Sequence, residues 1–170
     1  MNLPNPERFQ KPLDTAASLE RPAADAGLLL ARVAVGGLFV FHGSAKFTAG
    51  IDGFAGYLDS LGVPFPTLNA YLAAGTEVVA GSALALGLFT RLAALPLAFT
   101  MAVAFVTAKG AALSAQGGGG EYPLALGLFA IALALTGPGR ASVNHALRTA
   151  WGKLSLAAGR PSHAQAPAIA

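Results

Sequence analysis

The feature that most constrains the fold is an apolar run at residues 27–47, GLLLARVAVGGLFVFHGSAKF, which is long enough to cross a bilayer as a helix. About 20 residues at about 1.5 Å per residue make a helix of about 30 Å, the thickness of a hydrocarbon core. The run nevertheless contains Arg32, His42 and Lys46. Charged side chains in a spanning segment are costly and usually face protein or a water-filled cavity. We therefore expect this first helix to carry residues on which function depends.

Composition places the chain among membrane proteins. Of its 170 residues 54% are hydrophobic and only 11% are charged, and the mean hydropathy of +0.57 is too high for an ordinary soluble domain. The chain has no cysteine, which excludes disulfides, thiol redox chemistry and cysteine metal sites. Its formal net charge is +3. In so apolar a chain this excess is typical of the flanks of membrane helices, and we predict no nucleic-acid partner because no basic stripe interleaved with aromatics is present.

Three further apolar runs follow, at residues 68–89, 92–109 and 122–135. The turn at Thr90 and Arg91 is so short that the second and third spans must be antiparallel neighbours. Between the first two spans, residues 51–61 place apolar side chains on one helical face and Asp52 and Asp59 on the other, which predicts a short helix on the membrane surface. The predicted fold class is all-α, a four-transmembrane-helix bundle with a short amphipathic helix between spans 1 and 2.

Polar segments flank the apolar region. Residues 1–26 form a polar N-terminal arm, residues 27–140 the four-helix membrane domain, and residues 141–170 a C-terminal tail. The tail has a short amphipathic pattern at residues 142–156, and its end beyond Gly159 is expected to be disordered. In a four-span topology the basic residues concentrate on the side that holds both termini, which predicts that both termini are cytoplasmic. That side holds Arg8, Lys11, Arg21, Arg91, Arg140, Arg148, Lys153 and Arg160, and the other side holds Lys46 and Lys109.

Two rows of residues predict how the first two spans meet. The first helix has a seam of residues at spacings of four and three, and the second has a strict every-fourth row of small residues that includes Glu77. The seam is Arg32, Gly36, Phe39, Gly43 and Lys46, and the row is Ala73, Glu77, Gly81 and Ala85. Small residues let backbones approach closely, so Glu77 should lie in an interface, where it must be paired or protonated. His42 should be nearly level with it in an antiparallel pair.

The candidate catalytic residues are therefore Glu77 and His42. The full candidate polar cluster is Arg32, His42, Lys46, Glu77, Lys109 and Glu121. Each member also has a structural alternative. Arg32 could snorkel to the headgroups or form a register-fixing pair with Glu77, and His42 could be a satisfied core histidine. Lys46 and Lys109 could be interface anchors. No metal motif is evident, and bis-histidine haem ligation is disfavoured because His42 alone lies in a span.

The order of motifs resembles the DoxX family of small four-helix membrane proteins. The motifs are an arginine early in the first span, H-G-x-x-K-F at residues 42–47, G-x-E-x-x-x-G-x-x-L-x-L-G-L-x-T-R-L at residues 75–92, G-G-E-Y at residues 119–122 and G-P-G-x-x-S at residues 137–142. The resemblance covers about residues 27–145. One departure is Asn144, where the family pattern leads us to expect an aspartate.

The resemblance implies a multi-pass protein of the bacterial plasma membrane. Some family members are subunits of a thiosulfate:quinone oxidoreductase and others belong to redox-stress systems, so the first hypothesis is a redox-associated subunit that interacts with quinone or with a membrane or periplasmic oxidoreductase partner. A small proton-coupled transporter that uses Glu77 and a non-catalytic scaffold are the alternatives. Whether the chain is itself an enzyme, and whether it forms a homo-oligomer, stays open. No cofactor is evident beyond the quinone.

Overall fold

The fold was analysed in a computed structural model that describes residues 7–110, 112–114 and 118–158, with side chains described from residue 21 to residue 155. Within these ranges the chain is entirely helical, which confirms the predicted all-α class. The helices, in chain order, are α1 (Glu7–Thr48), α2 (Ile51–Ser60), α3 (Pro66–Leu86), α4 (Thr90–Thr107), α5 (Glu121–Thr136) and α6 (Val143–Ala158).

Helix α1 begins much earlier than the sequence pattern predicts. Its backbone is helical from Glu7, so most of the polar N-terminal arm belongs to the same helix as the first predicted span. Alanine, the strongest helix former, is the commonest residue of the arm, whereas the prolines of the arm disfavour a helix interior. The end of the tail beyond Gly159, which is expected to be disordered, lies outside the described residues.

The helices associate as two close pairs. Helix α1 packs most extensively on α3, and α4 on α5, while α2 lies mainly on α3. Helices α3 and α4 join the two pairs, and α1 makes a smaller contact with α5. The core between the pairs consists of Val35, Phe39, Leu84, Ala94, Leu97, Met101, Leu126, Ala130 and Leu133. Every one of the four long helices in the bundle contributes to this core.

Glycines bring α1 and α3 into backbone contact. A Cβ atom at Gly36 would lie 2.6 Å from the carbonyl oxygen of Gly81, and one at Gly43 would lie 2.8 Å from that of Ala74. Both distances are too short for a real side-chain carbon, so only glycine fits at these positions. The predicted packing of the first-helix seam against the row that contains Glu77 is therefore confirmed.

Helix α6 starts at the tight turn between α3 and α4. The N–H of Asn144 donates to the carbonyl of Gly87 at 3.3 Å, and the hydroxyl of Ser142 accepts from the N–H of His145 at 3.2 Å. The N–H of Arg140 donates to a carboxylate oxygen of Asp25 on α1 at 2.8 Å. These bonds define one end of the bundle, here named the α6 end. The opposite end, where α2 lies, is named the α2 end.

Within the part of the chain that the structure describes, two helices are long and apolar enough to cross a membrane by length and composition. They are the Arg21–Thr48 part of α1 and the whole of Thr90–Thr107, and the shorter helix Glu121–Thr136 is also strongly apolar. The predicted count of four spans goes beyond this and stays a prediction.

Candidate functional site

A cavity of about 310 Å³ lies at the α2 end and is lined by five helices. Helix α1 contributes one wall, α3, α4 and α5 contribute the others, and α2 covers the end with Tyr57, Leu58 and Leu61. Most of the lining is apolar, including Phe39, Met101 and Leu126. A concave, mostly apolar cavity with a few polar groups is the usual form of a small-molecule site.

The deepest polar feature of the cavity is an ion pair between Lys46 and Glu77. The ammonium Nζ of Lys46 donates to Oε2 of Glu77, which is only 3% exposed. The same ammonium lies 5.3 Å from the ring centroid of Phe54 on α2. The close approach of Gly43 places the Glu77 side chain against the backbone of α1. A carboxylate buried this far needs such a partner, because an unpaired charge in a low-dielectric interior is strongly disfavoured.

A second polar pair joins α1 to α5. Nε2 of His42 and the hydroxyl of Tyr122 are 2.8 Å apart, and their rings meet edge to face with centroids 5.6 Å apart. Because each group can donate or accept a hydrogen bond, the pair can offer either a donor or an acceptor to a ligand in the cavity. His42 is also in edge contact with Phe41.

The threonines in the wall are already satisfied. The hydroxyl of Thr100 donates to the carbonyl of Pro96 at 2.9 Å, and that of Thr107 donates to the carbonyl of Val103 at 2.8 Å. The polar groups left to meet a ligand are thus concentrated in the His42–Tyr122 and Lys46–Glu77 pairs, with Tyr57 on the cover.

His42 and Lys46 border a second opening as well. An outer depression of about 360 Å³ is lined by these two residues together with Ala45, Ala49, Gly50, Gly53 and Phe54. The two side chains therefore stand between the cavity and the surface of the protein at the α2 end.

The structure separates the predicted cluster into three parts. His42, Lys46 and Glu77 line the cavity together, whereas Lys109 and Glu121 lie at the α2 end outside its walls. Glu121 is exposed to solvent and Lys109 is half-buried.

Arg32 lies at the α6 end, away from the other members. It is fully buried, and its Nη2 donates to the carbonyl of Ala141. About 14 residues of helix separate it from Lys46, or about 21 Å along the axis. The alternative in which Arg32 pairs with Glu77 is wrong, since the partner of Glu77 is Lys46.

Tyr122 is the site residue that the candidate cluster omitted. It appeared only as part of the motif at the start of the fourth span, and nothing in local spacing relates it to His42, which is 80 positions away. Tyrosine is common at the membrane–water interface, where apolar helices begin, so the residue type alone did not indicate a contact with His42. Among the described residues, no group of three or more histidine, cysteine, aspartate or glutamate side chains could hold a metal ion.

Comparison with known proteins gives one family and several relatives. The family model described as DoxX matches residues 27–110, a region that contains His42, Lys46 and Glu77 but ends before Tyr122. The chain is 38% identical over 112 residues to "Putative oxidoreductase CatD" of Bacillus subtilis (strain 168), covering 65% of this chain and 79% of that protein.

Two other relatives are described as membrane proteins. The chain is 42% identical over 80 residues to "Inner membrane protein YphA" of Escherichia coli (strain K12), covering 46% of this chain and 56% of that protein. It is 34% identical over 129 residues to "Uncharacterized membrane protein Rv3486" of Mycobacterium tuberculosis (strain ATCC 25618 / H37Rv), covering 68% of this chain and 78% of that protein. No solved structure gives a significant match.

Proposed function

The chain belongs to the DoxX family of membrane proteins, and from that premise we propose that it is a redox-associated membrane subunit whose α2-end cavity binds the headgroup of a quinone. The proposal includes a quinone-linked oxidoreductase partner that exchanges electrons with the bound headgroup. The observation that carries it is the joint presence of the His42–Tyr122 and Lys46–Glu77 pairs in one apolar cavity.

The proposal places all four helices of the bundle across the bilayer. Each of them turns large apolar side chains outward: Leu30 on α1 is 72% exposed, Val79 on α3 72%, Phe99 on α4 71% and Leu135 on α5 75%. Apolar exposure on every side of a bundle is unfavourable in water and favourable in lipid. At about 1.5 Å per residue, α3, α4 and α5 measure about 31, 27 and 24 Å, and modest bilayer thinning accommodates the shortest.

The proposed location is a bacterial plasma membrane with both termini in the cytoplasm. Basic residues at the α6 end outnumber those at the α2 end, and cytoplasmic flanks carry such an excess. The basic side chains described at the α6 end outside the core are Arg21, Arg91, Arg140, Arg148 and Lys153, and those at the α2 end are Lys46 and Lys109. The description of one relative as an inner membrane protein supports this location.

The cavity suits a quinone headgroup in size and in chemistry. Its volume of about 310 Å³ is at the small end of ligand sites, which fits a single substituted ring. Quinone carbonyls accept hydrogen bonds, and the Tyr122 hydroxyl, the His42 ring and the Lys46 ammonium all donate. The aromatic and aliphatic walls, including Phe39, exclude water from the rest of the ring.

The two polar pairs also suit the proton chemistry of a quinone. Reduction of a quinone to a quinol takes up two electrons and two protons, and in this proposal the partner supplies the electrons. His42 borders both the cavity and the outer depression, and its ring nitrogens can donate or accept, so it can pass protons between the surface and the cavity. The Lys46–Glu77 ion pair has no net charge, so it leaves the cavity neutral beside the ring.

The test measures binding of a short-chain ubiquinone analogue to the purified full-length protein in detergent. Wild-type protein should bind it with a measurable affinity, and Tyr122→Phe should weaken binding about tenfold, because it removes a hydroxyl that donates to the carbonyl and orients His42. Tyr71→Phe is the matched control, since Tyr71 lies on α3 outside the cavity walls and contacts Phe47. Wild-type protein that binds no quinone, or equal binding by Tyr122→Phe, would reject the proposal.

A further inference from the structure

The α6 end contains a second cavity, of about 350 Å³, whose chemistry differs from that of the first. It lies between the start of α4 and the first turns of α6. Its walls are Phe89, Thr90, Arg91, Leu92, Pro138, Asn144 and Arg148. Two arginines from different helices therefore line it, and none of its described lining residues is acidic.

Thr90 supplies an unsatisfied polar group in this wall. The residue is 1% exposed, and its Oγ1 atom is buried without a hydrogen-bond partner among the described residues. A buried hydroxyl without a partner is unfavourable, and native proteins rarely keep one without a bound group to satisfy it. The hydroxyl can donate to an oxygen atom of a ligand in the cavity.

The beginning of α4 favours a negatively charged ligand. Thr90 is its first residue, and the residue before it, Phe89, provides no side-chain cap for the free N–H groups of the first turn. Uncapped N–H groups and the positive end of the helix dipole attract anions, and phosphate groups in particular. Arg91 and Arg148 add two positive charges, and arginine matches the geometry of phosphate oxygens.

The exposed face of α6 points to the source of such a group. Leu147, Trp151 and Leu154 are 57%, 77% and 66% exposed and recur at helical spacing, so they form one apolar stripe. An amphipathic helix with basic residues beside an apolar stripe lies in the headgroup region of a bilayer. Arg148, next to Leu147 in that helix, is then at the level of the lipid phosphates.

We propose that the α6-end cavity binds the phosphate group of an anionic membrane lipid, held by Arg91, Arg148 and the hydroxyl of Thr90. The lipid tails run along the outer face of the bundle, and α6 rests on the same leaflet. The site is separate from the quinone cavity, so its test does not depend on quinone binding.

Binding is measured by native mass spectrometry of delipidated full-length protein titrated with phosphatidylglycerol. Wild-type protein should retain the lipid, and the double variant Arg91→Gln/Arg148→Gln should bind it roughly 25-fold more weakly, since each basic residue near a lipid surface contributes about fivefold. Arg140→Gln is the matched control, because Arg140 is exposed at the same end, lies outside the cavity and bonds Asp25 through its backbone. Its affinity should match that of the wild type.

Thr90→Val separates ligand binding from structural stability. The substitution keeps the shape of the side chain and removes a hydroxyl that has no protein partner, so the lipid-free protein should melt at the same temperature or higher. Its affinity for phosphatidylglycerol should nevertheless fall about tenfold, the effect of one hydrogen bond to a charged group. An unchanged affinity in both this variant and the double arginine variant would overturn the proposal.

Competition identifies the source of the phosphate group. Inorganic phosphate at millimolar concentration should not displace phosphatidylglycerol, and phosphatidylcholine, whose phosphate is balanced by a cation, should bind more weakly. Tight binding of inorganic phosphate by a protein that ignores phosphatidylglycerol would contradict the lipid assignment.

Discussion

The guanidinium of Arg32 lies directly against the backbone of Gly87, so closely that a Cβ atom at Gly87 would be 1.8 Å from its Nη1. Gly87 also has a positive φ of 70°, a conformation that other residues adopt at a cost. The side chain of Arg32 extends from α1 and contacts both the turn from α3 to α4 and the carbonyl of Ala141 before α6. These contacts connect three parts of the chain that are distant in sequence.

Replacing Gly87 should disrupt this contact. We expect Gly87→Ala to lower the free energy of unfolding by more than the ~1 kcal/mol of a positive-φ substitution alone, because the new methyl group would overlap the guanidinium. Gly110→Ala is the control: Gly110 has a φ of 56°, but a Cβ there meets nothing within 4 Å. Thermal unfolding in detergent measures both, and equal losses of stability would show that Arg32 contributes nothing to the effect.

The ion pair in the cavity predicts an asymmetric double-mutant cycle. Lys46→Met should destabilise the protein by about 3 kcal/mol, because it leaves the carboxylate of Glu77 buried without its partner. Adding Glu77→Gln removes that charge, so the double variant should recover much of the loss. Denaturant unfolding of the four proteins gives the coupling energy, and Lys109→Met serves as the lysine control outside the cavity. Strictly additive effects would mean that the pair is energetically unimportant.

The glycine contact between α1 and α3 predicts position-specific effects on one helix. Gly43→Ala should destabilise the bundle by about 1–3 kcal/mol, the usual effect of overpacking, since its Cβ would meet the side chain of Glu77 at 2.8 Å. Gly37→Ala, on the same helix, introduces a Cβ into open space and should be neutral or slightly stabilising. Unfolding curves that rank the two variants in the reverse order would contradict the close approach of these helices.

The position of α6 can be measured with the single tryptophan of the chain. Trp151 is 77% exposed on the apolar stripe, so in vesicles its fluorescence should be quenched strongly by lipids brominated near the headgroup. Lipids brominated near the end of the acyl chains should quench less. Quenching by aqueous iodide alone, with no effect of brominated lipids, would show that α6 lies in water. The argument that Arg148 is at the level of the lipid phosphates would then fail.

The apolar runs predicted the helices well because each run can be recognised from a short stretch of consecutive residues. The predicted spans at residues 68–89, 92–109 and 122–135 differ from α3, α4 and α5 by at most a few residues, and the short helix at residues 51–61 corresponds to α2. The start of α1 was missed because its polar arm contains prolines and no apolar run. The row of small residues around Glu77, spaced every four positions, correctly indicated an interface. Small side chains on one face of a helix allow the backbone of a neighbouring helix to approach closely.

The candidate site was predictable only in part, for reasons of distance and side-chain reach. Glu77, His42 and Lys46 were identified from their presence in or beside apolar segments. The choice of partner for Glu77 depended on which of two long basic side chains lay nearer along the helix, and the register of α1 on α3 favours Lys46 over Arg32. The contact of His42 with Tyr122 depends on how the two helix pairs meet, and a single sequence contains no local signal for that.

The α2-end cavity lies where the α1–α3 pair meets the α4–α5 pair, and the hydrogen bond from His42 to Tyr122 spans the same junction. A molecule bound there would contact both pairs at once and would thus link the two halves of the bundle. Binding and assembly are then thermodynamically linked: at a ligand concentration of about 100 times Kd, the folded bundle gains about 2.7 kcal/mol. The occupant of the cavity would therefore determine how firmly the two halves of the bundle are held together.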